Sequence, residues 1–238
     1  MAKANEIAYV EEVARLDNVP LADFERYLLN KPFSDPRCHE YLMDAAQIMS
    51  LLPPAPAKLL DVGVGSGWTS ELFAKAGYEV TGIDISPDMI ALAKLRDCSA
   101  RFIVSDYEVG PIAGRFDAAV IYDALHHADD ESRVIKNIFE SLVPGGVLIT
   151  IEPGRGHSTS TNSLNAVAKY GTTEKDMPYS RQKALMKRAG FARVSQHSRV
   201  SSLRNSLLRG FIEPFRLVIG SSSVVVAMKK RVSLDPNS

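Results

Sequence analysis

The chain has 238 residues, 45% hydrophobic and 24% charged, and 28 Lys and Arg balance 28 Asp and Glu to a formal net charge of zero. That composition excludes a disordered or fibrous protein and allows a sizeable buried core. No run approaches the ~18 consecutive apolar residues that a membrane span needs.

The opening stretch MAKANEIAYVEEVARLDNV is polar and acidic and lacks the apolar core of a secretory signal. Cys38 and Cys98 have no metal-ligand spacing, so no metal site is read and a reduced, cytoplasmic setting is expected. Residues 5–52 read as mainly helical, broken at LNKPFSDP, so residues 1–52 are set apart as an N-terminal helical segment, which in the family named below would cap the site. Beyond them the periodicity alternates. AKLLDVGV (57–64) is a short apolar run ending in glycines, followed by a helix over SELFAKAGY. YEVTGIDI (78–85) reads as a strand, and Ser86 and Pro87 start a helix as N-cap and first-turn proline. RFIVSD (101–106) and RFDAAVIYD (115–123) are further strands. DDESRVIKNIFESLV (129–143) is a helix closed by PGG, and VLITIE (147–152) is strand five. A Gly/Ser/Thr-rich loop over 153–178 precedes a helix near 179–189, then strands at 191–200 and 223–231. Strands alternating with helices of this length predict an α/β fold, a doubly wound, seven-stranded, mostly parallel sheet with strand seven antiparallel. The expected domain spans 53–232, with a frayed tail at 233–238.

Asp61-Val-Gly63-Val64-Gly65-Ser-Gly67 lies between strand one and its helix. Glycine there allows a tight turn and close approach of backbone to ligand. Trp68 occupies the third glycine position of the dinucleotide fingerprint, and no Gly-Lys-Ser/Thr follows, so neither a pyrophosphate loop nor a P-loop is present. The stretch LLDVGVGSGWTSELFAKAGYEVTGIDISPDMIALAK, with FDAAVIYDALHHADD and LVPGGVLITIEPG, resembles the class I S-adenosylmethionine-dependent methyltransferases over about residues 58–153. The resemblance implies a Rossmann-like methyltransferase fold and S-adenosyl-L-methionine as cofactor. It implies that the glycine loop (Asp61, Gly63, Val64, Gly65, Gly67) passes under the methionine moiety. It further implies that Asp84 binds the ribose hydroxyls with Ile85 on the adenine, that Asp106 binds the adenine amino group beside Tyr107, and that Tyr122 and Leu125 line the pocket.

Open α/β sheets bind ligands beyond the carboxyl ends of their strands, which directs attention to the residues after strands four and five. His126 is the expected general base for a hydroxyl acceptor, with His127 and Glu152 as competitors. Two alternatives stay open: a histidine bonded to backbone, and Glu152 paired with a local arginine. The segment after strand four reads YDAL and lacks the Asn/Asp-Pro-Pro-aromatic tetrad of enzymes that methylate exocyclic or glutamine amines. The 153–178 loop, with YGTTEKDMP, resembles methyltransferases of surface-polysaccharide and sugar pathways, which implies a small-molecule acceptor such as a sugar or glycan precursor.

Residues 1–154 carry 13 basic and 24 acidic side chains, and residues 155–238 carry 15 and 4. Either the C-terminal third meets something anionic, such as an anionic substrate, or the two surfaces complement each other. An RNA or protein methyltransferase using that basic third, and a non-catalytic cofactor-binding partner, are the rival readings. Leu203, Leu207, Leu208, Phe211 and Phe215 recur with arginines between them, as a substrate cap, a homo-oligomer surface or a membrane-surface helix would.

Overall fold

The computed structural model describes residues 2–202 and 222–231; the expected 202–220 segment beyond Ser202 and the expected tail at 233–238 lie outside the described residues. Four helices come first: α1 (Ala2–Ile7), α2 (Tyr9–Leu16), α3 (Leu21–Leu29) and α4 (Cys38–Leu51). Then follow β1 (Lys58–Val62), α5 (Trp68–Lys75), β2 (Glu79–Asp84), α6 (Pro87–Ala93), β3 (Arg101–Val104), β4 (Phe116–Tyr122), α7 (Glu131–Ser141) and β5 (Leu142–Glu152). The chain continues through α8 (Thr161–Tyr170), α9 (Tyr179–Ala189), β6 (Arg193–Ser198) and β7 (Ser223–Met228). Among the described residues no helix is long and apolar enough to cross a membrane.

The strands form one seven-stranded sheet in the order β3-β2-β1-β4-β5-β7-β6. β1 to β5 pair in parallel, and β7 inserts antiparallel between β5 and β6. Side chains alternate across a strand, so β4 feeds both faces. Ala119 and Ile121 pack with Val134, Ile135 and Ile138 of α7 and Leu185 and Met186 of α9. Ala118, Val120 and Tyr122 face Tyr41, Ala45 and Ile48 of α4 and Trp68 and Phe73 of α5. Ser86 caps α6 by accepting from the Met89 N–H, as its sequence signal predicted.

Two elements depart from expectation. The segment PGG does not end a helix. It lies inside β5, where Phe116 pairs with Leu142 and Ala118 with Val147, so residues 143–146 bulge out of register. Helix α8 occupies part of the expected 153–178 loop. Ser, Thr and Asn favour caps over helix interiors, and their abundance hides a cap that Ser160 makes by accepting from the Ser163 N–H at 3.2 Å, with Gly171 closing the helix at φ 66°. The helix is then held by tertiary contacts: Tyr170 donates to Asp17 at 2.7 Å, and Lys169 pairs with the same carboxylate.

That last pair belongs to a wider set of ion pairs between the two parts of the chain. Lys175 and Arg181 meet Glu131 at 2.8 and 2.9 Å, and Arg199 meets Asp44 at 3.0 Å. Basic groups of the C-terminal part are thus paired with acids of the N-terminal part inside one fold.

Candidate active site

The strand order reverses between β1 and β4, which opens a crevice at their carboxyl ends. The glycine loop forms one wall. The N–H groups of Gly63 and Val64 both donate to the Ile83 carbonyl, at 2.9 and 3.1 Å, folding the loop over the end of β2. Gly63 sits at φ 70°, and a Cβ there would meet the Ala124 Cβ at 2.4 Å; Gly65, at φ 52°, has open space where its Cβ would be. Gly63→Ala is therefore expected to destabilise the fold by roughly 2–4 kcal/mol, from overpacking plus the left-handed backbone. Gly65→Ala should cost only about 1–2 kcal/mol, from the backbone alone. Equilibrium denaturation of the two variants checks the difference, and equal losses would contradict it.

Two carboxylates brace this loop. Asp61, buried at the end of β1, accepts from the Thr69 and Ser70 hydroxyls at 2.6 and 2.7 Å. Burial pushes its carboxyl up to about 6 in spite of those two bonds. Asp84, ending β2, accepts from the Gly65 N–H at 2.8 Å and the Ser86 N–H at 2.9 Å. Burial raises its carboxyl as well, with the two backbone donors pulling the other way. An ionised carboxylate has about four acceptor sites, so lone pairs remain for hydroxyls of a bound ligand.

A cavity of about 640 Å³ opens from this wall, lined by Gly63, Gly65, Asp84, Ile85 and Tyr107 on the β1–β3 side. Across it stand Asp123, Ala124, His126 and His127 after β4, with His157, Ser163, Thr172 and Glu174 from the segment after β5 and Lys3, Glu6, Tyr9 and Arg37 from the N-terminal helices. The open space over Gly65 and the free acceptor capacity of Asp84 suit a nucleoside with a flexible polar tail. The residues present therefore fit S-adenosylmethionine.

Glu152 organises the wall after β4. Its buried carboxylate accepts from the N–H groups of Ala124 (3.1 Å), Leu125 (2.9 Å) and His126 (3.2 Å), and lies 2.7 Å from His126 Nδ1. Residues Leu125–His127 form a 3-10 turn on that anchor. The contact places a proton on His126 Nδ1 when the ring is neutral, leaving Nε2 as the free lone pair. That atom is 3.7 Å from Glu174, whose carboxylate also meets His157 Nε2 at 2.6 Å. His127 donates from Nδ1 to the Thr173 carbonyl at 2.6 Å, with its ring centroid 3.9 Å from that of His126. Burial opposes charge on His127, but Glu6, Glu174 and Asp123 outweigh it and push the ring up to about 9. Asp123 holds φ 54° at the tip of the β4 turn. Burial would raise its carboxyl, yet His126, His127, Arg199 and His157 hold it below the usual range.

The structure brings Gly63, Gly65, Asp84, Ile85, Tyr107, His126 and His127 to one cavity. It places the other expected residues elsewhere, each for an identifiable reason. Asp61 is consumed by its two hydroxyls, and Val64 packs on Ile90, Ala93 and Phe102. At Gly67, φ 82°, the chain turns into α5. Asp106 is drawn to Lys3 at 2.7 Å and is off the cavity wall. Tyr122 points to the α4 face, meets Trp68 and Tyr41 edge to face, and donates to Asp44 at 2.8 Å. Leu125 sits in the core beneath its turn. Among the described residues Glu152 has no arginine partner; its carboxylate is off the cavity wall and meets His126 Nδ1. Glu6, Asp123, His157, Thr172 and Glu174 carried no sequence signal of their own, since four separate segments supply them.

Residues 60–150 match the family described as a methyltransferase domain. A ubiquinone biosynthesis O-methyltransferase of Xanthomonas axonopodis pv. citri (strain 306) is 36% identical over 108 residues, 42% of this chain and 45% of that protein. The chain thus spans about half the length of the curated relatives it matches. An S-adenosylmethionine-dependent methyltransferase from Mesorhizobium loti superposes with a TM-score of 0.62 at 19% identity, over 79% of this chain and 98% of that one. Phosphoethanolamine N-methyltransferase 2 of Haemonchus contortus, solved with S-adenosyl-L-methionine, superposes with a TM-score of 0.56 at 19% identity, over 79% of this chain and 52% of that one. Glycine loop, sheet order and domain match agree: residues 60–150 of this chain match a methyltransferase domain, and the chain has the fold of the solved methyltransferases.

Proposed function

We propose that this protein transfers a methyl group from S-adenosylmethionine to a hydroxyl oxygen of a small-molecule acceptor, with His126 as general base. The observation that carries the reading is the geometry of His126: Nδ1 is fixed 2.7 Å from Glu152, and the ring stands on the wall of the cavity that Gly63, Gly65 and Asp84 also line. Bound there, the cofactor supplies an electrophilic methyl on a sulfonium. The chain's own work is to orient, to exclude water and to take a proton. A hydroxyl holds its proton at neutral pH, so a neutral imidazole whose Nε2 faces the acceptor has a defined use. Helices α1 and α2 close one side with Lys3, Glu6 and Tyr9, and the 153–178 segment closes another. A cavity of this size and enclosure suits a small acceptor better than a folded RNA or protein. The relatives' name, O-methyltransferase, supports oxygen as the acceptor atom. The alternative of a basic surface for a large anionic partner loses weight because several of its cations are already paired.

Incubation of labelled cofactor with panels of phenols, sugars, nucleotide sugars and RNA, followed by mass spectrometry of products, tests the reading and separates phenolic from sugar hydroxyls. Methyl transfer only to RNA, or to nothing, would overturn it. Arg37 lines the cavity with its guanidinium carbon 5.2 Å from the centre of the Tyr41 ring and offers a cation to an anionic acceptor. Its side chain is 61% exposed, so its contribution is modest, about 1 kcal/mol. Arg37→Ala should raise the KM of an anionic acceptor about fivefold and leave kcat unchanged; steady-state kinetics on the identified acceptor reads both.

A further inference from the structure

The geometry points to a divalent transition-metal site in the same cavity, made by His126, His127 and Glu174. One ligand atom from each lies within 4.8 Å of the other two, and His126 Nε2 is already 3.7 Å from the Glu174 carboxylate. Tetrahedral zinc with bonds near 2.1 Å keeps its ligand atoms roughly 3.4 Å apart, so small side-chain rotations complete the set. The surroundings are those of ligating histidines. Such rings give their second nitrogen to a carboxylate or a backbone carbonyl. Here Nδ1 of His126 meets Glu152 at 2.7 Å, and Nδ1 of His127 meets the Thr173 carbonyl at 2.6 Å. With Nδ1 so engaged, Nε2 is the nitrogen that each ring has to offer an ion.

Three further features agree. Asp123 and Glu6 join Glu174 around the rings, which makes the field favourable to a cation. His157 contacts the same Glu174 oxygen at 2.6 Å, with its ring centroid 5.1 Å from that of His126, and so holds the carboxylate beside the two histidines. Thr172 lines the cavity with a hydroxyl that is the one fully buried side-chain nitrogen or oxygen without a hydrogen-bond partner among the described residues, as expected beside a ligand or its bound water. Two imidazoles with one carboxylate select Zn²⁺, Co²⁺, Fe²⁺ or Mn²⁺ over the oxygen-seeking Mg²⁺ and Ca²⁺. An ion held there takes the His126 lone pair that proton transfer requires, so occupancy turns the base off.

The inference goes beyond methyl transfer and is tested without cofactor or acceptor. Chelator-treated protein is titrated with Zn²⁺ against a chromophoric indicator, and with Co²⁺ while its visible absorption is followed. One equivalent is expected to bind with micromolar or tighter affinity, and Co²⁺ should show the intense bands of a four- or five-coordinate ion. His127→Ala and Glu174→Gln should each weaken binding at least about tenfold, and His126→Ala likewise, with circular dichroism confirming that each variant is folded. His39→Ala and His197→Ala, on histidines away from the cavity, should bind as wild type. No stoichiometric binding, or binding unchanged in the His127→Ala and Glu174→Gln variants, overturns the site and leaves the methyl-transfer reading standing. A protein that binds Zn²⁺ tightly but methylates nothing keeps the site and loses that reading.

Discussion

His126→Ala, assayed in the presence of a chelator, is expected to slow methyl transfer by about 10²–10⁴-fold, the usual worth of a positioned general base. The loss should fall on kcat with cofactor affinity nearly intact, because the substitution leaves Asp84 and the glycine loop untouched. Glu152→Gln sharpens the result. The carboxylate serves three backbone N–H groups and one imidazole, so an amide in its place presents donors to donors. The expected outcome is a lower kcat together with a lower melting temperature, since hydrogen bonds to a buried charged group are each worth about 1.5–3 kcal/mol. His126→Ala should leave the melting temperature much closer to wild type. Single-turnover rates and thermal denaturation on the two variants check the split. Full activity of His126→Ala on the true acceptor would remove the base, leaving proximity alone as the source of catalysis.

Asp84→Ala is expected to weaken S-adenosylhomocysteine binding by about 10- to 100-fold, the equivalent of roughly 1.5–3 kcal/mol for hydrogen bonds to a charged acceptor. The structure adds a second contribution in the same direction. Asp84 also accepts from the Gly65 and Ser86 N–H groups, so its removal is expected to loosen the glycine loop as well as withdraw an acceptor from the ligand. Asp84→Asn retains one acceptor oxygen and should fall between wild type and Ala. Isothermal calorimetry reads the affinities, with NAD as a ligand expected not to bind, since Trp68 occupies the position where the pyrophosphate fingerprint needs glycine. Wild-type affinity in Asp84→Ala would mean that the cofactor lies elsewhere on the sheet edge.

The sequence alone determined the sheet and placed the glycine loop and Asp84 at its carboxyl edge. Alternation of short apolar runs with amphipathic helices is a local pattern. Each strand and helix carries its own period, cap or glycine, so β1 to β5, α6, α7 and α9 are readable without knowing what they touch. Asp84 and the glycines are readable for the same reason: each sits at a strand end, and strand ends in a parallel sheet share one edge.

What the tertiary structure decided is the use of each residue near that edge. Tyr122 and His126 are four residues apart, yet the pleat sends the first to the α4 face and the turn sends the second into the cavity. Glu152 and His126 belong to different strand ends, and only the pairing of β4 with β5 brings the carboxylate to Nδ1. Helix α8 was hidden because its stability comes from Asp17 and Tyr9, far upstream, and not from its own propensity. The joining of His126 and His127 to Glu174 is the furthest from the sequence: a distance across the fold, set by how a 3-10 turn and the 153–178 segment pack, has no periodicity that a linear reading could detect.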